Sequence, residues 1–88
     1  MQTEKQKRIK TAMKPVMCSR LRKYRTENHM SQEEMARLFM ISVRSYVDLE
    51  HGESLPSALT LALFLTRLDK EEQKGLLNDL RREIEKGK

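Results

Sequence analysis

The sequence predicts an all-α fold of five helices, and three observations carry that prediction. From Met17 onward apolar residues recur at helical spacing. Helix-starting side chains precede the runs: Ser31 with Glu34, and Asp69 with Glu72, stand three apart as capping boxes, each able to satisfy amides that a first turn leaves unpaired. Within Gln32 to Gly52 the apolar stripe changes phase once, as two short helices crossing at a steep angle require.

Taken in order, residues 1–14 read as a basic N-terminal arm, mobile or a frayed helix, because MQTEKQKRIKTAM offers little apolar content and no cap. Pro15 suits a first helical turn, where its missing amide hydrogen costs nothing, so the first helix is expected over Pro15 to Glu27, with Met17, Leu21 and Tyr24 on one face. Its opposite face carries Arg20 and Lys23, which either touch a DNA backbone or face water. After an Asn28-His29-Met30 loop, a second helix is expected over about residues 32–39 and a third over about 42–51. Met35, Ala36 and Phe39 face inward from one, Tyr46 and Leu49 from the other. Ser42 caps the third helix and Gly52 ends it; Ala36 is small enough to let the pair approach closely.

Pro56 then blocks helix, and Ser57 caps a fourth, apolar on two sides: Leu59, Ala62 and Leu63 form one stripe, and Leu61, Phe64, Leu65 and Leu68 another. The second stripe needs a further surface. Residues 69–88 supply it as a C-terminal amphipathic helix with Leu76, Leu77, Leu80 and Ile84 on one face, packing within the chain or across a two-fold axis. Gly75 weakens that helix by roughly 1 kcal/mol. The core domain is thus 15–68.

At 88 residues the chain holds one small domain whose core a partner subunit would support. Its net charge is +5, unevenly spread. Residues 1–30 carry nine Lys or Arg against Glu4 and Glu27, whereas residues 31–68 total −2 and residues 69–88 are neutral. A basic segment beside a helix pair of this kind either lies along phosphate, making affinity salt-dependent, or is a solvated tail. The longest mostly apolar run, Leu59 to Leu65, is far below the ~20 residues of a membrane span. No apolar segment suited to a signal peptide follows the basic start, and the single Cys18 fits a reducing compartment, so a cytoplasmic protein is expected. No His or Cys spacing resembles a metal site, and no Ser or Cys has a base and an orienting partner in sequence. The reading therefore carries no metal, no cofactor and no enzymatic activity. The six Met residues read as core filler.

The wording LRKYR (Leu21 to Arg25), SQEEMA (Ser31 to Ala36), ISVRSYVDLEHG (Ile41 to Gly52) and then Pro56 resembles the phage-repressor-like (Xre-type) helix-turn-helix family, over Val16 to Leu68. The resemblance implies a lambda-repressor-like domain of bacterial or phage type. It departs from the family at Met40, which stands where Gly usually occupies a turn favouring positive φ; a non-Gly residue there costs of order 1 kcal/mol. It also implies a partly buried ion pair between Arg25 and Glu50, and a phosphate contact from Gln32.

In such docking the second helix of the motif enters the major groove while the first crosses the backbone. The base-facing candidates are Val43, Arg44, Val47 and Asp48, with Ser42 and Ser45 toward phosphate together with Gln32, Arg20 and Lys23. Arg44 is the leading base reader, its planar fork matching guanine O6 and N7. Val43 suits a thymine methyl, and Asp48 either accepts from cytosine N4 or orients Arg44. The expected function is a sequence-specific regulator of transcription, a repressor acting as a homodimer on double-stranded DNA. The alternative is an antitoxin-like or adaptor module whose partner is another regulatory protein, bound through the fifth helix and the free stripe of the fourth.

Overall fold

The computed structural model describes residues 3–86 as five helices: α1 (Glu4–Glu27), α2 (Gln32–Leu38), α3 (Val43–Glu50), α4 (Ala58–Arg67) and α5 (Lys70–Glu85). No strand occurs among the described residues. Side-chain caps set most of the starts. Ser31 and Asp69 form reciprocal boxes with Glu34 and Glu72, while the Ser42 and Ser57 hydroxyls accept from the Ser45 and Thr60 amides.

The first helix departs from the sequence reading. The basic arm expected over residues 1–14 is helical from Glu4; residues 1 and 2 lie outside the described residues. Its cap is one the sequence reading passed over. The Thr3 hydroxyl accepts from the Gln6 amide at 3.1 Å, and the Gln6 side chain accepts from the Thr3 amide at 2.9 Å. Ile9, Met13 and Val16, on one face at helical spacing, are then partly buried. Pro15 sits inside the helix rather than at its start, so the Thr11 carbonyl loses its helical donor.

Three successive helices stop the same way. After α1, α2 and α3 the residues at positive φ are His29 (53°), Met40 (57°) and Gly52 (75°). Each is flanked by the paired bonds of a Schellman ending: Met30 N to Arg25 O and His29 N to Thr26 O; Ile41 N to Ala36 O and Met40 N to Arg37 O; Glu53 N to Asp48 O and Gly52 N to Leu49 O. The backbone therefore keeps the standard turn at Met40 and carries the left-handed strain there.

Helix α1 packs on both α3 and α5, and α2 packs on α3. The core joins Met17 and Leu21 of α1, Met35 and Ala36 of α2, Phe39, Tyr46 and Leu49, Phe64 and Leu68, and Leu76 and Leu80 of α5. Phe39 and Tyr24 each meet the Phe64 ring nearly edge-on, at centroid distances of 6.1 and 5.8 Å. The face proposed for packing or dimerisation divides accordingly. Phe64, Leu68, Leu76 and Leu80 are buried in their own chain, Leu61 and Leu65 pack partly against the core, and Leu77 and Ile84 stay exposed at 52% and 40%.

A polar tie completes the α1–α5 contact. Arg20 forks Asp79 through Nε (3.2 Å) and Nη2 (2.5 Å). Its guanidinium lies over Gly75, where an added Cβ would come within 3.1 Å of it, which gives the helix-weakening glycine a packing reason. Gln73 caps the end of α4 by donating to the Leu65 and Leu68 carbonyls.

Candidate nucleic-acid interface

The second helix of the motif, α3, is tied to α1 by a charged lock. Arg25 donates from Nε to Glu50 Oε2 at 2.8 Å and from Nη2 to Oε1 at 2.7 Å, a bidentate pair, while Nη1 reaches the Met30 carbonyl at 3.2 Å. The Glu50 side chain is only 4% exposed and that of Arg25 is 22% exposed. Burial alone would raise the Glu50 carboxyl, but the Arg25 guanidinium, with the Gln32 amide nearby, holds it below its ordinary 4.5. Arg22, absent from the sequence-derived candidates, adds a bond from Nη2 to the Glu50 carbonyl at 3.0 Å, and Cys18 Sγ donates to the same oxygen at 2.7 Å. The end of α3 is thereby fixed to α1.

Beside this lock the Tyr46 hydroxyl is buried without a hydrogen bond among the described residues. Burial above all, with the adjacent Glu50 carboxylate, pushes its pKa up, so it stays neutral.

With Tyr46, Leu49 and Glu50 turned inward, α3 presents its other side to solvent. Val43, Arg44 and Ser45 are exposed, and Val47 and Asp48 are half-buried at the flank. Arg44 has no carboxylate within ion-pair distance among the described residues. Helical side chains lean toward the N-terminus, so an Arg four residues ahead of an Asp leans away from it. Ser42 and Ser45 bond each other at 2.9 Å, so their hydroxyls serve the cap as well as facing outward.

The remaining phosphate candidates separate. Gln32 is half-buried at the start of α2, its amide close to Glu50. Lys23 is exposed on α1. Arg20, expected to touch phosphate or face water, pairs with the half-buried Asp79 of α5 in this structure. A basic cluster outside the sequence-derived site also emerges: Lys7, Lys10 and Lys14 line one open groove with Thr11 and residues 53–56. Their i, i+3, i+7 spacing was legible only once this segment was known to be helical.

Among the described residues no group of His, Cys, Asp and Glu is arranged to hold a metal ion, and no helix is long and apolar enough to cross a membrane. Comparison with known proteins gives one family match: a helix-turn-helix family model covers residues 21–74, from the LRKYR segment of α1 into α5. No curated protein and no solved structure is significantly similar to the chain. The matched span holds the charged lock, the crossed pair α2 and α3, and the outward face of α3. The chain belongs to the Xre/lambda-repressor-like helix-turn-helix family of DNA-binding regulators.

Proposed function

We propose that the protein is a sequence-specific regulator that binds double-stranded DNA as a homodimer, places α3 in the major groove and represses transcription by occupying its site. The observation that carries this reading is the outward face of α3. Arg44 there is exposed and unpaired among the described residues, held on a helix whose far end is locked by Arg25 and Glu50. An arginine not committed to a carboxylate keeps both donors for guanine O6 and N7. Val43, 43% exposed at the start of the same helix, offers apolar contact to a thymine methyl. Gln32, Ser42, Ser45 and Lys23 stand at the edges as phosphate ligands, and Val47 and Asp48 flank the reading face. The second subunit is assigned to the Leu77 and Ile84 stripe of α5, which the chain's own core leaves uncovered.

That same stripe favours a second reading, an antitoxin-like or adaptor module in which another regulatory protein covers α5. Selection of random duplex DNA by the purified protein separates the two. Enrichment of an inverted repeat with half-sites about one helical turn apart supports a dimeric DNA reader. Recovery of no common sequence, with binding weak or absent, supports the interaction module.

A further inference from the structure

The N-terminal half of α1 lies outside the matched helix-turn-helix span, and its charge is one-sided. Residues 5–14 contain five Lys or Arg and no carboxylate. Because the segment is helical, Lys7, Lys10 and Lys14 fall on one face, while Met13 and Val16 pack against the core and Ile9 is partly buried. The lysines line an open groove with Glu53, Ser54, Leu55 and Pro56, the loop that follows α3. Ser54, Leu55 and Pro56 also wall a second groove, whose other side includes Ile41, Ser45 and Asp48. One loop therefore stands between the lysine face and the Ser45 and Asp48 flank of α3.

We propose that Lys7, Lys10 and Lys14 are a helical phosphate-binding ridge that extends the DNA contact past the recognition helix onto duplex flanking the half-site. This inference rests on the DNA-binding reading above. The partner chemistry follows from the surface: three ammonium groups about one helical turn apart, those of Lys7 and Lys10 exposed and that of Lys14 half-buried, match a run of backbone phosphates, and they carry no means of reading bases. Glu53 is the carboxylate in the same groove, and it repels the same phosphates. Glu4 pairs with Lys7 at 3.8 Å, a largely exposed contact that phosphate displaces readily.

The test measures affinity of the full chain for the operator duplex recovered by selection, with and without flanking duplex, over a series of salt concentrations. The chain with Lys7→Gln, Lys10→Gln and Lys14→Gln together is compared with wild type, and Arg44→Ala serves as a base-contact control. Wild type is expected to bind the flanked duplex more tightly than the trimmed one. The triple variant should lose that advantage, with the slope of log affinity against log salt falling by about 2 to 3 per subunit, about 5 for the dimer, at roughly 0.9 per phosphate contact. Glu53→Gln, which leaves α1 intact, should raise affinity for the flanked duplex several-fold. Wild-type slope and unchanged flank preference in the triple variant, or no gain from Glu53→Gln, overturn the ridge while leaving DNA binding standing. Failure of wild type to bind any duplex overturns the DNA-binding reading and the ridge with it.

Discussion

Replacing Arg25 by Met keeps the length of the side chain and removes the guanidinium that neutralises Glu50. The carboxylate left behind is 4% exposed, and its nearest remaining cation is Arg22, whose Nε lies 4.0 Å from Oε1 on a side chain that is itself 54% exposed. Stranding a buried charge costs about 3–5 kcal/mol, and a chain of this length has roughly 4–13 kcal/mol in all. Arg25→Met should therefore remove a large fraction of the stability at pH 7, read as a fall in the urea midpoint without a change in slope. Glu50→Gln should cost less, because Arg25 is 22% exposed, keeps its bond to the Met30 carbonyl and can turn its charge to water.

The variant also reverses the pH dependence of this site. In wild type the Glu50 carboxyl is held below 4.5, so its contribution is present above that pH and is lost as pH falls through the lowered value. Without Arg25, burial dominates and raises the carboxyl; its contribution is then present below 4.5 and lost as pH rises through the raised value. The deficit of Arg25→Met should shrink as pH falls from 7 toward 4.5. A deficit under about 1 kcal/mol at pH 7, a deficit independent of pH, or a larger cost for Glu50→Gln would refute the buried-charge account.

Three further outcomes follow from single contacts. Met40→Gly should raise stability by about 0.5–1 kcal/mol, a few degrees in Tm, because relief of the left-handed strain exceeds the added entropy of the unfolded chain. Met40 is 70% exposed, so little packing is lost, and a lower Tm would place the side chain in an unrecognised contact. Tyr46→Phe should leave urea stability unchanged or raise it by about 1 kcal/mol, since it removes a buried hydroxyl without a partner; a loss of that size would mean the hydroxyl donates to Glu50. Asp79, held by Arg20 below its ordinary 3.8, stabilises the fold above that pH and loses its contribution as pH falls through the lowered value. Asp79→Asn should consequently flatten the acid limb of the stability profile, and an unchanged limb would remove the α1–α5 tie from the account.

The fold was legible where local chemistry and tertiary packing agree. Ser31 with Glu34, Ser42, Ser57, and Asp69 with Glu72 each start a helix because a short polar side chain beside an apolar run has few better uses than the orphan amides of a first turn. The start of α1 was missed because Pro15 imitates a helix beginning, and because Thr3 with Gln6 lacks an adjoining strong apolar stripe. His29 went unread as a helix ending for a similar reason: its positive φ is imposed by the Schellman bonds around it, not by its own preference.

Within the candidate site, helical phase alone separated Tyr46 and Leu49 from Val43 and Arg44. Phase could not show that Asp79, fifty-nine residues away, takes Arg20, nor that Arg22 bonds the Glu50 carbonyl, because both depend on how α1 lies across the other helices. The lysine ridge stayed hidden behind the arm reading, since residues without a fixed backbone share no face.

The central claim is that α3 reads bases through Arg44, and its most direct test is Arg44→Ala measured on two duplexes, the selected operator and a random sequence, at fixed salt. Loss of a bidentate guanine contact of ~1–3 kcal/mol in each half-site predicts operator binding weakened by about 5- to 150-fold per half-site, with random-sequence binding nearly unchanged and Tm the same. Equal losses on both duplexes would assign Arg44 to phosphate, and no loss on either would contradict the docking of α3 altogether.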